Sequence, residues 1–155
     1  MRPIHCFVFI AVLVACKPSG PPLKPLDLLS EGLPLKINAP EDVEVSSSDL
    51  GIMKDVTVKN NDGYSIQIFE SEAYQLDLPK AISTIKSKIE GSKYFSKIIS
   101  EDEGGFLFEK KVDDSYINYD FRHVKIRGDK QYVIQAGMSS KHTLDQVKSM
   151  YESVQ

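Results

Sequence analysis

Apolar side chains recur at every second residue through much of the chain, and this period is the strongest constraint on its fold. Val56 and Val58 alternate with polar residues, a polar turn follows at residues 60–63, and the alternation resumes at Ile66 and Ile68. Alternation gives a strand one apolar and one polar face, and a turn between two such strands predicts a hairpin. The sequence therefore favours an antiparallel sheet.

Three more strands are predicted in the second half of the chain. They run through Phe106 and Phe108, over residues 116–126 and over residues 131–136, and polar turns separate them at residues 113–115 and 127–130. Within residues 116–126, Phe121 and Val124 fall on opposite faces of a regular strand. We expect a bulge near Arg122 and His123, because one extra residue would return both apolar side chains to the same face.

Two segments carry helical signals. The first has a capping residue, an apolar stripe and a stop, in the order Asp77, then Ile82, Ile85 and Ile89, then Gly91. The second begins with a capping box of Thr143 and Gln146 and carries the stripe Leu144, Val147, Tyr151 and Val154. Runs of strands separated by two helices predict one α+β domain over residues 35–155, with the helices packed on an antiparallel sheet.

The N-terminal segment predicts a secretory signal. A single positive charge, Arg2, precedes an uninterrupted apolar run over residues 6–15. This run is too short for a membrane-spanning helix, which needs about 20 apolar residues, and it fits the apolar region of a signal peptide. Because prolines crowd residues 17–25, we expect a signal over residues 1–15 and an extended tether over residues 16–34.

The end of this signal resembles the lipobox of bacterial lipoproteins. Leu13, Val14, Ala15 and Cys16 supply its aliphatic residue, tolerant position, small residue and cysteine. The resemblance implies cleavage between Ala15 and Cys16 and attachment of lipid to Cys16. Several acyl chains hold a protein stably on a membrane, whereas one chain binds marginally. Since Lys17 is not acidic, the resemblance also implies a position in the cell envelope, on the periplasmic face of the outer membrane.

Signal cleavage and lipidation would also leave the mature chain without a free thiol. Cys6 and Cys16 are the two cysteines; the first leaves with the signal and the second becomes a thioether. Disulfides, cysteine-bound metals and cysteine nucleophiles are therefore excluded from the mature protein. The formal net charge of -3 lacks the basic excess that phosphate binding needs, so we expect no nucleic-acid partner.

The order of the predicted elements is similar to that of the PsbP-like family. The similarity rests on residues 37–40, the early hairpin, the helix after Leu78 and Pro79, the strands rich in Tyr and Phe, and residues 151–154. Glu41 follows Pro40 where that family often has an aromatic-rich motif. The resemblance implies an α/β/α sandwich that serves as a binding scaffold, and it carries over no functional residue.

The residues that could carry chemistry form no recognisable site, so we predict no catalytic residue, no metal site and no cofactor. His123 and His142 lie far apart in different elements. The acidic residues 101–103 and 113–114 and the Arg-Gly-Asp tripeptide at residues 127–129 are expected to be solvated turns.

Two groups of side chains have both a functional and a structural interpretation. The lysines near the first helix are a solvated face or a patch for anionic phospholipid or an acidic partner: Lys80, Lys86, Lys88, Lys93 and Lys97. The aromatic residues of the later strands line a groove or, as we favour, fill the core: Tyr116, Tyr119, Phe121 and Tyr132.

Taken together, the sequence predicts a non-enzymatic binding or assembly module held on a membrane through Cys16, with an envelope protein as its partner. Two alternatives remain. One is a hydrolase or small-ligand enzyme whose residues come from separate strands, and the other is an immunity lipoprotein that neutralises a toxin.

The substitution Cys16→Ala tests the lipid anchor. The variant should incorporate no radioactive palmitate and should accumulate as uncleaved precursor, because alanine offers no sulfur for acylation. Palmitate labelling and immunoblotting of whole cells measure both. A variant that matures normally and still sediments with membranes would contradict the lipobox assignment.

Overall fold

The computed structural model describes residues 22–113, 115–138 and 141–155. The strands are β1 (Lys24–Asp27), β2 (Lys36–Ala39), β3 (Glu44–Asp49), β4 (Met53–Lys59), β5 (Ser65–Glu72), β6 (Phe95–Glu101), β7 (Gly105–Lys111), β8 (Ile117–Arg127) and β9 (Lys130–Ala136). The helices are α1 (Leu78–Glu90) and α2 (Leu144–Ser153), and a 3₁₀ turn spans Leu29–Glu31. β1 pairs with β2, and the remaining strands form one seven-stranded sheet in the order β3-β4-β5-β9-β8-β7-β6. This arrangement confirms the α+β class.

The predicted local signals form as expected. β4 and β5 make the hairpin, and the Asn60 side chain accepts hydrogen bonds from the amides of Asp62 (3.1 Å) and Tyr64 (2.9 Å) in its turn. Asp77 caps α1 by accepting from the amide of Lys80 at 3.1 Å. The capping box of Thr143 and Gln146 begins α2. Side-chain caps of this kind replace the hydrogen bonds that the first turn of a helix lacks.

The bulge predicted near Arg122 and His123 is wrong. β8 pairs without a register shift with β7 over residues 117–123 and with β9 over residues 123–127. Phe121 and Val124 are both buried because both faces of β8 are covered. The rings of Phe121 and Tyr151 of α2 lie 5.5 Å apart, whereas Val124 belongs to the other face, on which α1 packs against β6 and β8. The buried apolar side chains of β8 therefore change from one face to the other because β8 lies between two packed layers. The register shifts of the large sheet lie in the pairing of β6 with β7.

The N-terminal strands close the core on the α2 face. Leu28 and Leu33 are 1% and 0% exposed and belong to the same apolar cluster as Val56, Ile134 and Met150. The packed domain therefore includes residues 24–34, which the sequence analysis grouped with the tether. Both leucines flank the 3₁₀ turn, which returns β2 alongside β1.

Antiparallel pairing places every chain reversal at one of two ends of the large sheet. We name the first the Ile52 end; it carries residues 50–52, 73–77, 102–104 and 128–129. The opposite Leu23 end carries the described residues of the loops 60–64, 91–94, 112–116 and 137–143. The chain arrives at the Leu23 end, where Pro22 and Leu23 lie beside Asn60 and Gly63.

Two neighbouring leucines test whether the N-terminal strands are part of the domain. Leu28→Ala should lower the free energy of unfolding by about 3 kcal/mol, because it leaves a cavity in the core. Leu29→Ala should change it by less than about 0.5 kcal/mol, because that side chain is 66% exposed. Urea denaturation of the full chain measures both, and equal effects would show that residues 24–34 do not contribute to the core.

Candidate functional site

The most exposed of the large apolar side chains lie mainly at the Ile52 end. Of the six that are more than 60% exposed among the described residues, five lie there: Leu29, Leu50, Ile52, Tyr74 and Leu76. Ile52 is 89% and Tyr74 98% exposed. Single exposed apolar residues are ordinary, but several at one end of a domain are typical of an interaction surface. We call these five residues the apolar tip.

Three separate segments of the chain supply the apolar tip. Leu50 and Ile52 belong to the β3–β4 turn, and Tyr74 and Leu76 lie between β5 and α1. Leu29 belongs to the 3₁₀ turn, which is held at this end because Ser47 donates to the Glu31 carboxylate at 2.8 Å. No local stretch of sequence contains the whole group.

The β3–β4 turn satisfies its own polar groups while its side chains face outward. The Leu50 amide donates to the Met53 carbonyl at 2.9 Å, and the Gly51 amide donates to the Asp49 carboxylate at 2.8 Å. Gly51 has a φ of 80°, a left-handed conformation that favours glycine. The exposure of Leu50 and Ile52 therefore belongs to a well-bonded turn.

Beside the apolar tip lies an open depression of about 700 Å³. Its walls include Leu78 of α1, the β6–β7 turn and the end of β8. Asp102 holds one side together: it accepts hydrogen bonds from the Tyr151 hydroxyl at 2.7 Å and from the amides of Gly104 and Gly105 at 2.8 and 3.1 Å. These bonds join the β6–β7 turn to the last turn of α2.

These hydrogen bonds set the ionisation of both partners. Partial burial acts to raise the pKa of Asp102, but the bonds from Tyr151 and the two amides outweigh it and lower the pKa overall. Burial, with the hydrogen bond to Asp102, raises the pKa of Tyr151 above its ordinary range. At neutral pH the pair is therefore a carboxylate that accepts from a neutral phenol, which is a structural link.

His123 lies under the β6–β7 turn and is 6% exposed. Its ring packs edge-on against Tyr151, with the centroids 5.6 Å apart, and its Nδ1 is buried without a hydrogen-bond partner among the described residues. Burial lowers the pKa of His123 to about 4; the charge of Lys125 adds to this shift and that of Asp102 opposes it. The imidazole is consequently neutral at pH 7.

Glycine is required where the turn covers this ring. A Cβ on Gly104 would lie 2.5 Å from His123 Cε1, which is closer than real Cβ atoms approach other atoms. The backbone at Gly104 therefore seals one side of the imidazole. With His123 Nδ1 buried and Asp102 Oδ1 accepting three hydrogen bonds, these two residues form one wall of the depression.

The structure separates the two histidines that the sequence analysis considered. His123 is at the Ile52 end, whereas His142 is at the Leu23 end, where its amide donates to Asn118 at 2.8 Å. Among the described residues, no group of three or more His, Cys, Asp or Glu side chains is placed to hold a metal ion.

The acidic and basic runs are mostly paired. Glu101 accepts from Lys86, and Asp113 accepts from the amides of Ser115 and Tyr116, while Asp114 lies outside the described residues. Lys80 pairs with Asp77 at 3.3 Å and Lys97 with Glu109 at 3.5 Å. The tripeptide at 127–129 forms the β8–β9 turn, where Arg127 donates to the Pro34 carbonyl.

The aromatic residues of the later strands divide between core and surface. Phe121 and Tyr132 are 0% and 1% exposed, so they fill the core, and Tyr119 packs against that core. Tyr116 is exposed at the Leu23 end, where the Lys141 ammonium lies 4.9 Å from its ring centroid. These residues therefore do not line a common groove.

The exposed tip was not predicted from the sequence, although a signal for part of it was present. Leu50 and Ile52 flank Gly51 in a stretch without period-two or helical spacing. Large apolar side chains inside a turn have no core face to occupy, so they indicate exposure.

The residues assigned to lipidation, Leu13, Val14, Ala15 and Cys16, lie outside the described part of the chain. Neither α1 nor α2 has the length and apolar character of a helix that crosses a bilayer. No family model matches the chain, and no curated protein or solved structure matches it significantly.

The buried histidine predicts a pH dependence of stability. Its folded pKa of about 4 lies below the ordinary value of 6.5, so the unfolded chain takes up a proton first as the pH falls. The contribution of neutral His123 to the free energy of unfolding is complete above pH 6.5. It should decline by on the order of 3 kcal/mol towards pH 4. In the variant His123→Gln, the free energy of unfolding should fall less steeply over pH 6.5–4.5. Urea denaturation at several pH values measures the slope, and equal slopes would contradict the buried, neutral assignment.

Proposed function

We propose that the protein is a lipid-anchored lipoprotein of the bacterial cell envelope, and that its domain binds an envelope protein through the apolar tip. One observation carries the proposal: five of the six large apolar side chains that are more than 60% exposed among the described residues lie at the end of the sheet opposite to the end at which the chain arrives from Cys16. A partner therefore reaches the tip without competing with the membrane.

The length of chain between anchor and domain limits how the domain is held. Five residues lie between Cys16 and Pro22, and the six extended steps from one to the other span at most about 22 Å. With lipid on Cys16, the Leu23 end stays close to the bilayer. β4 alone has 7 residues, so the Ile52 end lies roughly 23 Å farther along the strand direction. The tip then points into the periplasm, where a partner is available.

The charges around the apolar tip favour a particular kind of partner. Asp49, Glu72, Glu103 and Asp129 are exposed acidic residues at the Ile52 end. Of the basic residues there, Lys36 and Lys80 are paired with Asp27 and Asp77. Lys130 is half-buried, and Arg127 is engaged with the Pro34 carbonyl. An interface with an apolar centre and a charged rim obtains affinity from the centre and orientation from the rim. The partner is therefore expected to present an apolar patch with lysine or arginine at its edge.

The PsbP-like resemblance supports the same proposal. A helix packed on each face of an antiparallel sheet is the architecture that this resemblance implies, and members of that family use it as a scaffold for binding. Membership of this chain in the PsbP-like family is part of the proposal. The proposal includes no catalytic step: Asp102 Oδ1 accepts from the Tyr151 hydroxyl and the Gly105 amide, and His123 Nδ1 is buried.

Photo-crosslinking in intact cells tests the binding surface. A photoreactive residue at Ile52 or Tyr74 should give one defined adduct with an envelope protein, because both side chains project from the tip. The matched control is the same residue at Asp62, which is exposed in the β4–β5 turn at the Leu23 end.

The adduct should form poorly when Leu50→Asp is added, since a charge in the apolar centre opposes burial; a loss of tenfold or more is expected. Equal adducts from position 62, or only uncrosslinked protein from positions 52 and 74, would contradict the proposal. An adduct with a toxin would support the immunity alternative.

A further inference from the structure

A second surface lies at the Leu23 end and combines unpaired lysines with exposed aromatic residues. It consists of Lys88, Lys93, Tyr94, Tyr116, Met138 and Lys141, which we call the lysine–tyrosine corner. Tyr94, Tyr116 and Met138 are 42%, 40% and 74% exposed. The three lysines are also exposed. Neither the apolar tip nor the core accounts for this group.

Backbone hydrogen bonds bring the separate segments of the corner together. The Lys111 amide donates to the Tyr94 carbonyl at 2.8 Å, and the Val112 amide donates to the Tyr116 carbonyl at 3.0 Å. The Tyr119 amide donates to the His142 carbonyl at 3.3 Å, which places Lys141 next to the start of β8. The segment before β6, the β7–β8 loop and the loop before α2 therefore form one continuous surface.

The charge of this corner is predominantly positive. No carboxylate of the described residues lies within salt-bridge distance of Lys88, Lys93 or Lys141, whereas Lys80, Lys86 and Lys97 each have an acidic partner. The carboxylates of Glu90, Asp113 and Asp145 lie in the same loops or in the helix turns beside them, and Asp113 is occupied by the amides of its own turn. The corner thus offers to an anionic surface three ammonium groups that have no acidic partner among the described residues.

The lysines and tyrosines are arranged as pairs. The Lys93 ammonium lies 5.3 Å from the Tyr94 ring centroid, and that of Lys141 lies 4.9 Å from the Tyr116 ring centroid. Tyrosine has an apolar ring and a polar hydroxyl, and lysine has an apolar stem and a charged head, so both suit the boundary between headgroups and acyl chains. This combination matches the negative charge and the graded polarity of an anionic bilayer surface.

We propose that the lysine–tyrosine corner docks on anionic phospholipid headgroups and thereby orients the domain on the membrane. This inference rests on the lipid anchor of the proposed function. The corner occupies the end of the sheet where the chain arrives, and the tether of about 22 Å keeps that end within reach of the bilayer. A lysine near an anionic leaflet contributes about 1 kcal/mol, so three lysines favour the docked state about a hundredfold.

The experiment uses the full chain, processed and lipidated in cells, with Met138→Cys labelled by an environment-sensitive dye. It is reconstituted into phosphatidylcholine vesicles and into vesicles that also contain phosphatidylglycerol. Dye emission should shift to the blue only in the anionic vesicles, because docking buries position 138. The triple variant Lys88→Glu, Lys93→Glu and Lys141→Glu should abolish the shift.

The matched control reverses three lysines at the Ile52 end, Lys36, Lys80 and Lys130, with the same change of net charge, and it should retain the shift. No shift in anionic vesicles, or loss of the shift in both triple variants alike, would overturn the inference. Flotation with pure phosphatidylcholine reports the anchor separately. A chain that floats with pure phosphatidylcholine but shows no dye shift in anionic vesicles keeps the anchor and refutes the docking. A chain that floats with anionic vesicles only, and shifts there, refutes the anchor and keeps the docking.

Discussion

Antiparallel pairing of seven strands organises everything else in this molecule. Because each strand reverses the direction of its neighbour in the sheet, all loops fall at two ends about one strand length apart. α2 with the N-terminal strands buries one face of the sheet, and α1 covers the other face over β6 and β8. The two ends differ in what they expose: one carries the most exposed aliphatic and aromatic side chains, and the other carries lysines beside tyrosines and the arriving chain.

The central strands and both helices could be predicted because their side chains face a core. β4, β5, β7, β8 and β9 lie inside the sheet and show apolar residues at the expected spacing, and the caps at Asp77 and Thr143 are local signals. β3 and β6 were not predicted, and both are edge strands. Edge strands bury little apolar surface and often carry polar residues or bulges that discourage further pairing. β3 is rich in serine and β6 has register shifts, so neither strand shows a regular alternation of apolar residues in the sequence.

The functional surfaces could be predicted only in part, for a different reason. The lysines around α1 were recognised as one group, but Lys80, Lys86 and Lys97 are paired with acids, and the positive corner draws instead on Lys141, which follows about fifty residues later. The apolar tip likewise joins turns that are distant in the chain. Residues brought together by the fold leave no spacing pattern, whereas the lipobox is read from four consecutive residues. The attachment to the membrane is therefore a prediction from the sequence, whereas the proposed orientation of the domain could be inferred only from the fold.

The central claim is that the domain stands on the membrane with the Leu23 end down and the Ile52 end out. Energy transfer from a donor at Ile52→Cys or at Met138→Cys to acceptor-labelled headgroups measures this directly in the lipidated protein on anionic vesicles. The donor at position 52 should lie roughly 20 Å or more farther from the headgroups than the donor at position 138, in accordance with the length of the strands between the two ends. Equal distances, or a shorter distance for position 52, would contradict this orientation.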